Sequence, residues 1–88
     1  MQPEMGNIFC NATFQVFRDR IVPYLVADYL WTNGIINERQ YQEIKGLNSD
    51  IAKGEYLWCL IKQGRRYLEA VRTALRVTEQ NEIATLLQ

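Results

Sequence analysis

The feature that most constrains this chain is the close, even spacing of its helix breakers. Pro23, Asn33-Gly34, the stretch Gly46 to Ser49, Gly64 and the neighbourhood of Thr78 cut it into short segments. Within each segment the apolar residues recur at helical spacing, and no run alternates with period two over a useful length. Helices this short are marginal on their own, so they must share a core. Links of only a few residues make successive helices pack as neighbours. The expectation is an all-α fold: a compact antiparallel six-helix bundle.

Each segment carries its own signals. Phe14, Phe17, Ile21 and Leu25 lie on one face of a first helix. Pro23 removes an amide donor and biases Val22 away from the α region, so that helix ends near residue 22 or bends there. Val26, Ala27, Leu30 and Trp31 mark a second helix, with Gly34 suited to a left-handed C-terminal cap. Asn37 and Gln40 have the form of a capping box for a third, with Tyr41, Ile44 and Leu47 inward. Ser49 or Asp50 caps a fourth helix, whose stripe is Leu57, Leu60 and Ile61. Gly54 inside it costs up to about 1 kcal/mol against Ala, which a close helix–helix contact would explain. Leu68, Val71 and Leu75 line a fifth helix from near Arg65, and Ile83, Leu86 and Leu87 a sixth after Thr78. Residues 1–12 read as a partly flexible leader and residues 13–88 as the six-helix domain.

Composition removes whole classes of chemistry. The 88 residues contain no histidine. That excludes a Ser-His-Asp triad, a Cys-His pair, a His-ligated zinc site and a histidine general base. The two cysteines, Cys10 and Cys59, form no C-x-x-C pair and cannot complete a metal site alone. Both read as free thiols in a reducing compartment, with Cys59 buried in the run Leu57 to Ile61. The sequon Asn11-Ala12-Thr13 is then silent. No apolar stretch approaches a membrane span, and no signal-peptide pattern opens the chain. The acids alternate with bases along polar faces, so no carboxylate pair is set up for acid–base work. The chain reads as a cytoplasmic binding protein, not an enzyme, with no cofactor, metal or membrane partner.

The order of many weak signals resembles one family. Asp28-Tyr29-Leu30-Trp31-Thr32-Asn33-Gly34-Ile35-Ile36-Asn37-Glu38 resembles the helix 2, glycine, helix 3 passage of caspase recruitment domains. Tyr41-Gln42-Glu43-Ile44 looks like the third helix, and Asp50-Ile51-Ala52-Lys53 with Leu57, Leu60 and Ile61 like the fourth. Gly64 followed by Tyr67 to Val71, Ala74 and Leu75 is similar to the fifth, and Ile83 to Leu87 to the closing helix. The match spans residues 14 to 88, and the first link, around Pro23, is shorter than the family's. The resemblance implies a death-fold bundle that binds another caspase recruitment domain, or its own copies, in apoptotic or innate-immune signalling. It also implies a contact between a basic patch on the first and fourth helices and an acidic patch on the second and third. Arg18 and Lys53 fall at the family's basic positions, and Asp28, Glu38 and Glu43 at its acidic side.

The charges point the same way without the family. Ten basic and ten acidic residues sum to zero. Arg18, Arg20 and Lys53 fall on the first and fourth helices; Asp28, Glu38 and Glu43 on the second and third. Asp19 dilutes the basic group. Opposite patches on different faces allow head-to-tail association that need not close, with charge setting orientation and rate more than affinity. Read alone, the same charges also fit an ordinary solvated surface. Arg65 and Arg66 oppose the dipole of the fifth helix. They form a secondary interface for acids or phosphate, or lie just outside the helix in solvent. Most of Trp31, Trp58 and the five tyrosines fall on or beside apolar stripes and read as core, with Tyr24, Tyr56 and Tyr67 partly exposed. The alternative class is a small helix-turn-helix nucleic-acid binder. Its recognition helix would be Asn37-Glu38-Arg39-Gln40, where Glu38 and Glu43 repel phosphate, so no nucleic-acid partner is expected.

Overall fold

The computed structural model describes residues 10–87. Most of the expected leader, residues 1–9, lies outside them, as does Gln88. The order of elements is α1 (Asn11–Arg20), α2 (Pro23–Thr32), α3 (Glu38–Lys45), α4 (Asp50–Ile61), α5 (Arg65–Val77) and α6 (Asn81–Leu86). Among the described residues there is no strand. The first helix starts at Asn11, so the last two leader positions are helical.

Pro23 decides the first corner. Helix α1 ends at Arg20, Ile21 and Val22 are extended, and Pro23 opens α2. Proline suits that position because the first helical amide has no intrahelical acceptor. Leu25 therefore belongs to α2 and is only half-buried, so it does not continue the face of Phe14 and Phe17. The corner is tied from far along the chain. The Val22 N–H donates to Gln80 Oε1 at 2.7 Å, and Gln80 Nε2 donates to the Val22 carbonyl at 3.4 Å.

The other boundaries follow local chemistry. Gly34 takes φ 74°, and the Ile35 N–H returns to the Leu30 carbonyl at 2.8 Å, which ends α2. The capping box is complete at α3: Gln40 N–H donates to Asn37 Oδ1 at 2.8 Å, and Asn37 N–H donates to Gln40 Oε1 at 2.9 Å. Ser49 caps α4 by accepting from the Ala52 N–H at 3.1 Å.

Helix α4 is the hub, packing on α1, α2, α3 and α5; α6 closes the bundle against α1 and α5. Gly54 marks its closest approach. A Cβ added there would lie 3.3 Å from the Arg18 Cα, the Arg18 carbonyl oxygen and Ile21 Cγ2. The core runs through every element, from Phe17 and Leu30 to Ile61, Leu75 and Leu87, each essentially inaccessible. The radius of gyration is 12.0 Å, as a close-packed chain of about this size requires.

Two apolar residues depart from expectation. Cys59 is exposed. At 100° per residue it stands about 200° from Leu57, so a helical run this apolar still sends one member outward. Trp31 is 40% exposed and not in the core. Its ring lies flat on Tyr41, with centroids 4.2 Å apart and planes within 8°.

Candidate protein-binding surface

The expected basic group divides between two places. Arg18 and Arg20 both stand on α1. Arg18 Nη1 lies 3.4 Å from Glu55 Oε2 on α4, and its Nε 3.4 Å from Asp19 Oδ1. Its guanidinium also covers the Phe14 ring, 5.2 Å from the centroid. Arg20 meets Glu82 on α6 at 3.6 Å, with both side chains mostly in solvent. Exposed pairs of this kind contribute about 0–1 kcal/mol, so a partner's acid can take over either arginine at little cost. Lys53 sits elsewhere, lining a cavity with Asp28, Tyr41 and Lys45.

The acids of α2 and α3 are held in place. The Tyr41 hydroxyl donates to Asp28 Oδ1 at 2.5 Å, and the Tyr56 hydroxyl to Glu43 Oε1 at 2.9 Å. The bond to Asp28, followed by desolvation and the nearby negative charge, raises Tyr41 above the ordinary tyrosine range. Burial, with the bond to Glu43 behind it, pushes Tyr56 up to about 12. Neither acceptor is buried, so each carboxylate presents free lone pairs outward. Glu38 accepts from Gln42 Nε2 at 2.9 Å on the exposed side of α3. Helix α4 separates this acidic edge from α1, because it packs on both α1 and α3.

Arg65 and Arg66 fall inside α5, at its first two positions. Arg65 pairs with Glu69 at 3.6 Å, and Arg66 lies over the Tyr67 ring at 5.7 Å. The i,i+4 pair offsets part of the dipole conflict. Cys10 is exposed, and the Thr13 hydroxyl beside it lowers its thiol below the usual range.

Lys45 escaped the sequence reading. Its ammonium lies 5.1 Å from the Tyr41 ring centroid. The signal was there in the four-residue spacing, which places Tyr41 and Lys45 on one face of α3. Among the described residues no group of His, Cys, Asp and Glu converges to hold a metal ion, and no helix is long and apolar enough to cross a membrane. Compared with protein-family models, curated proteins and solved structures, the chain matches none of them.

Proposed function

We propose that the chain is a cytoplasmic protein–protein interaction module of the caspase recruitment type. In this reading its helices take the antiparallel death-fold arrangement. It binds a related domain, or further copies of itself, in apoptotic or innate-immune signalling. Each subunit offers both halves of a heterologous contact, and the growing oligomer concentrates whatever effector is attached.

The observation that carries this reading is the placement of lightly held charges on either side of α4. Arg18 and Arg20 on α1 make exposed or half-exposed ion pairs at 3.4 to 3.6 Å, and Arg18 also covers the Phe14 ring. Asp28 and Glu43 are fixed in direction by neutral tyrosine hydroxyls and keep their charge for a partner. Docking a second arginine face on this acidic edge exchanges weak ion pairs for desolvated ones, and only the surplus appears as affinity.

Light scattering against protein and salt concentration tests the reading. Growth beyond a dimer that fades with added salt is the expected result, and Arg18→Glu or Asp28→Lys should each reduce it while helical circular dichroism stays intact. Unchanged association in both variants would remove the charged patches from the contact. A salt-dependent shift of DNA at micromolar protein would favour the helix-turn-helix class instead.

A further inference from the structure

A cavity of about 170 Å³ opens between α2, α3 and α4. Ala27 and Ile44, both 1% exposed, form its floor. Tyr24, 58% exposed, and Tyr41 stand as aromatic walls. Asp28, Lys45 and Lys53 bring the charges.

Those charges do not balance. The one carboxylate already accepts the Tyr41 hydroxyl. Lys45 rests against the Tyr41 ring, and among the described residues Lys53 makes no ion pair. Lys53 is half-buried, so its stem lines the wall while its ammonium needs an anion or water. Two cations against one engaged carboxylate, over an apolar floor, select an apolar stem that ends in a single negative charge. The size narrows the choice further. A cavity of about 150 Å³ holds one benzene ring, whereas sites for drug-sized molecules begin near 300 Å³. The space takes one side chain.

We propose that this cavity is a receptor for one acidic side chain, a glutamate, presented by a protein partner. The inference rests on the reading of the chain as an interaction module and adds to it a second basic element. Lys45 and Lys53 receive an acid in a pocket, apart from the arginines of α1. Asp28 holds Tyr41 in the wall of the pocket.

The full chain labelled with nitrogen-15 is titrated with blocked glutamate (the Nα-acetyl, C-terminal methylamide) and with blocked glutamine at matched ionic strength. Glutamate should shift amides confined to residues 24–28, 41–45 and 53, and saturate at about fivefold lower concentration than glutamine, the fold-change of one partly screened ion pair. Lys53→Gln should erase the difference between the two probes, and Lys45→Gln should reduce it. Equal shifts by glutamate and glutamine would overturn the proposal. So would equal shifts of the same amides by inorganic phosphate, which would mark a plain anion site. The module reading fails separately. A glutamate-specific shift with no association by light scattering leaves the cavity standing and the assembly reading broken. Association without a glutamate-specific shift does the reverse.

Discussion

Helix α4 meets α1 on one side and α2 and α3 on the other, and the two joints differ most at their centres. Toward α1 the centre of the contact is close-packed, while the Arg18–Glu55 ion pair and an open cavity of about 370 Å³ lined by Phe14, Glu55 and Trp58 lie at its edge. Gly54 brings the two backbones together, and the Trp58 ring sits 5.4 Å from Phe14 and 5.2 Å from Phe17 in tilted geometry. Phe17 is wholly buried and Trp58 is 5% exposed. Toward α2 and α3 the contact is polar at its edge and hollow beneath. The Tyr56 hydroxyl of α4 binds Glu43 of α3, α2 and α3 are joined to each other by the Tyr41–Asp28 bond and the Trp31–Tyr41 stack, and a cavity lies between the three helices. The close-packed centre of the α1 joint resists change because interiors are packed at crystal density. A joint made of hydroxyl–carboxylate bonds over a hollow can trade its outer contacts without moving its core.

Substitutions can break this contrast. Phe17→Ala at the centre of the α1 joint should cost about 3–5 kcal/mol in a denaturant melt through lost burial and a cavity. Tyr24→Ala on the hollow side should stay within about 0.5 kcal/mol, as surface changes do. Similar losses at the two positions would erase the distinction. Gly54→Ala sharpens it. Alanine gains about 1 kcal/mol in helix propensity, but its Cβ would press on the backbone of Arg18 at 3.3 Å. Overpacking costs about 1–3 kcal/mol, so a net loss of about 1 kcal/mol is expected. A gain in stability would mean that α1 can slide outward.

Smaller effects belong to the hydroxyls. Tyr41→Phe keeps the ring that stacks on Trp31 and removes the bond to Asp28. It should lower the melting free energy by about 1 kcal/mol. A neutral result would show that water replaces the hydroxyl there without penalty. Tyr56 gives the smallest signal, an alkaline one. Its folded pKa of about 12 lies above the ordinary tyrosine value, so the neutral hydroxyl is favoured by folding. That contribution is complete below about pH 10, the unfolded value, and is lost as pH rises through about 12. Tyrosinate absorbance should show a late-titrating component near pH 12 that is missing in Tyr56→Phe. Absence of that component would mean that the Tyr56 hydroxyl is neither desolvated nor bound to Glu43.

Local chemistry was legible in the sequence. The Asn37–Gln40 box, the Ser49 cap, the left-handed Gly34 and the crowding at Gly54 all act within a turn or announce themselves by a residue type that is otherwise unfavourable. What depends on residues far apart was not. Arg18 meets Glu55 across 37 positions, and charge type alone does not reveal which acid shares its surface. The helix assignment and the family resemblance group Lys53 with Arg18 in one basic patch. Helical rotation instead places it beside Asp28, while its neighbour Gly54 faces α1. Hydropathy likewise put Trp31 and Cys59 inside. A broad ring can lie flat over a tyrosine at the surface, and a continuous apolar run has an outward position whatever its composition.

The Gln80 carboxamide that grips Val22 has a consequence for synthesis. The two residues are 58 positions apart. At about 5–20 residues per second the ribosome needs roughly 3–12 s to deliver the second after the first. Throughout that interval the corner between α1 and α2 exists without its clasp, and the proline that shapes it cannot supply a donor of its own. The final two helices therefore act as a latch on the start of the chain, and an emerging polypeptide stopped short of Gln80 leaves its first corner open.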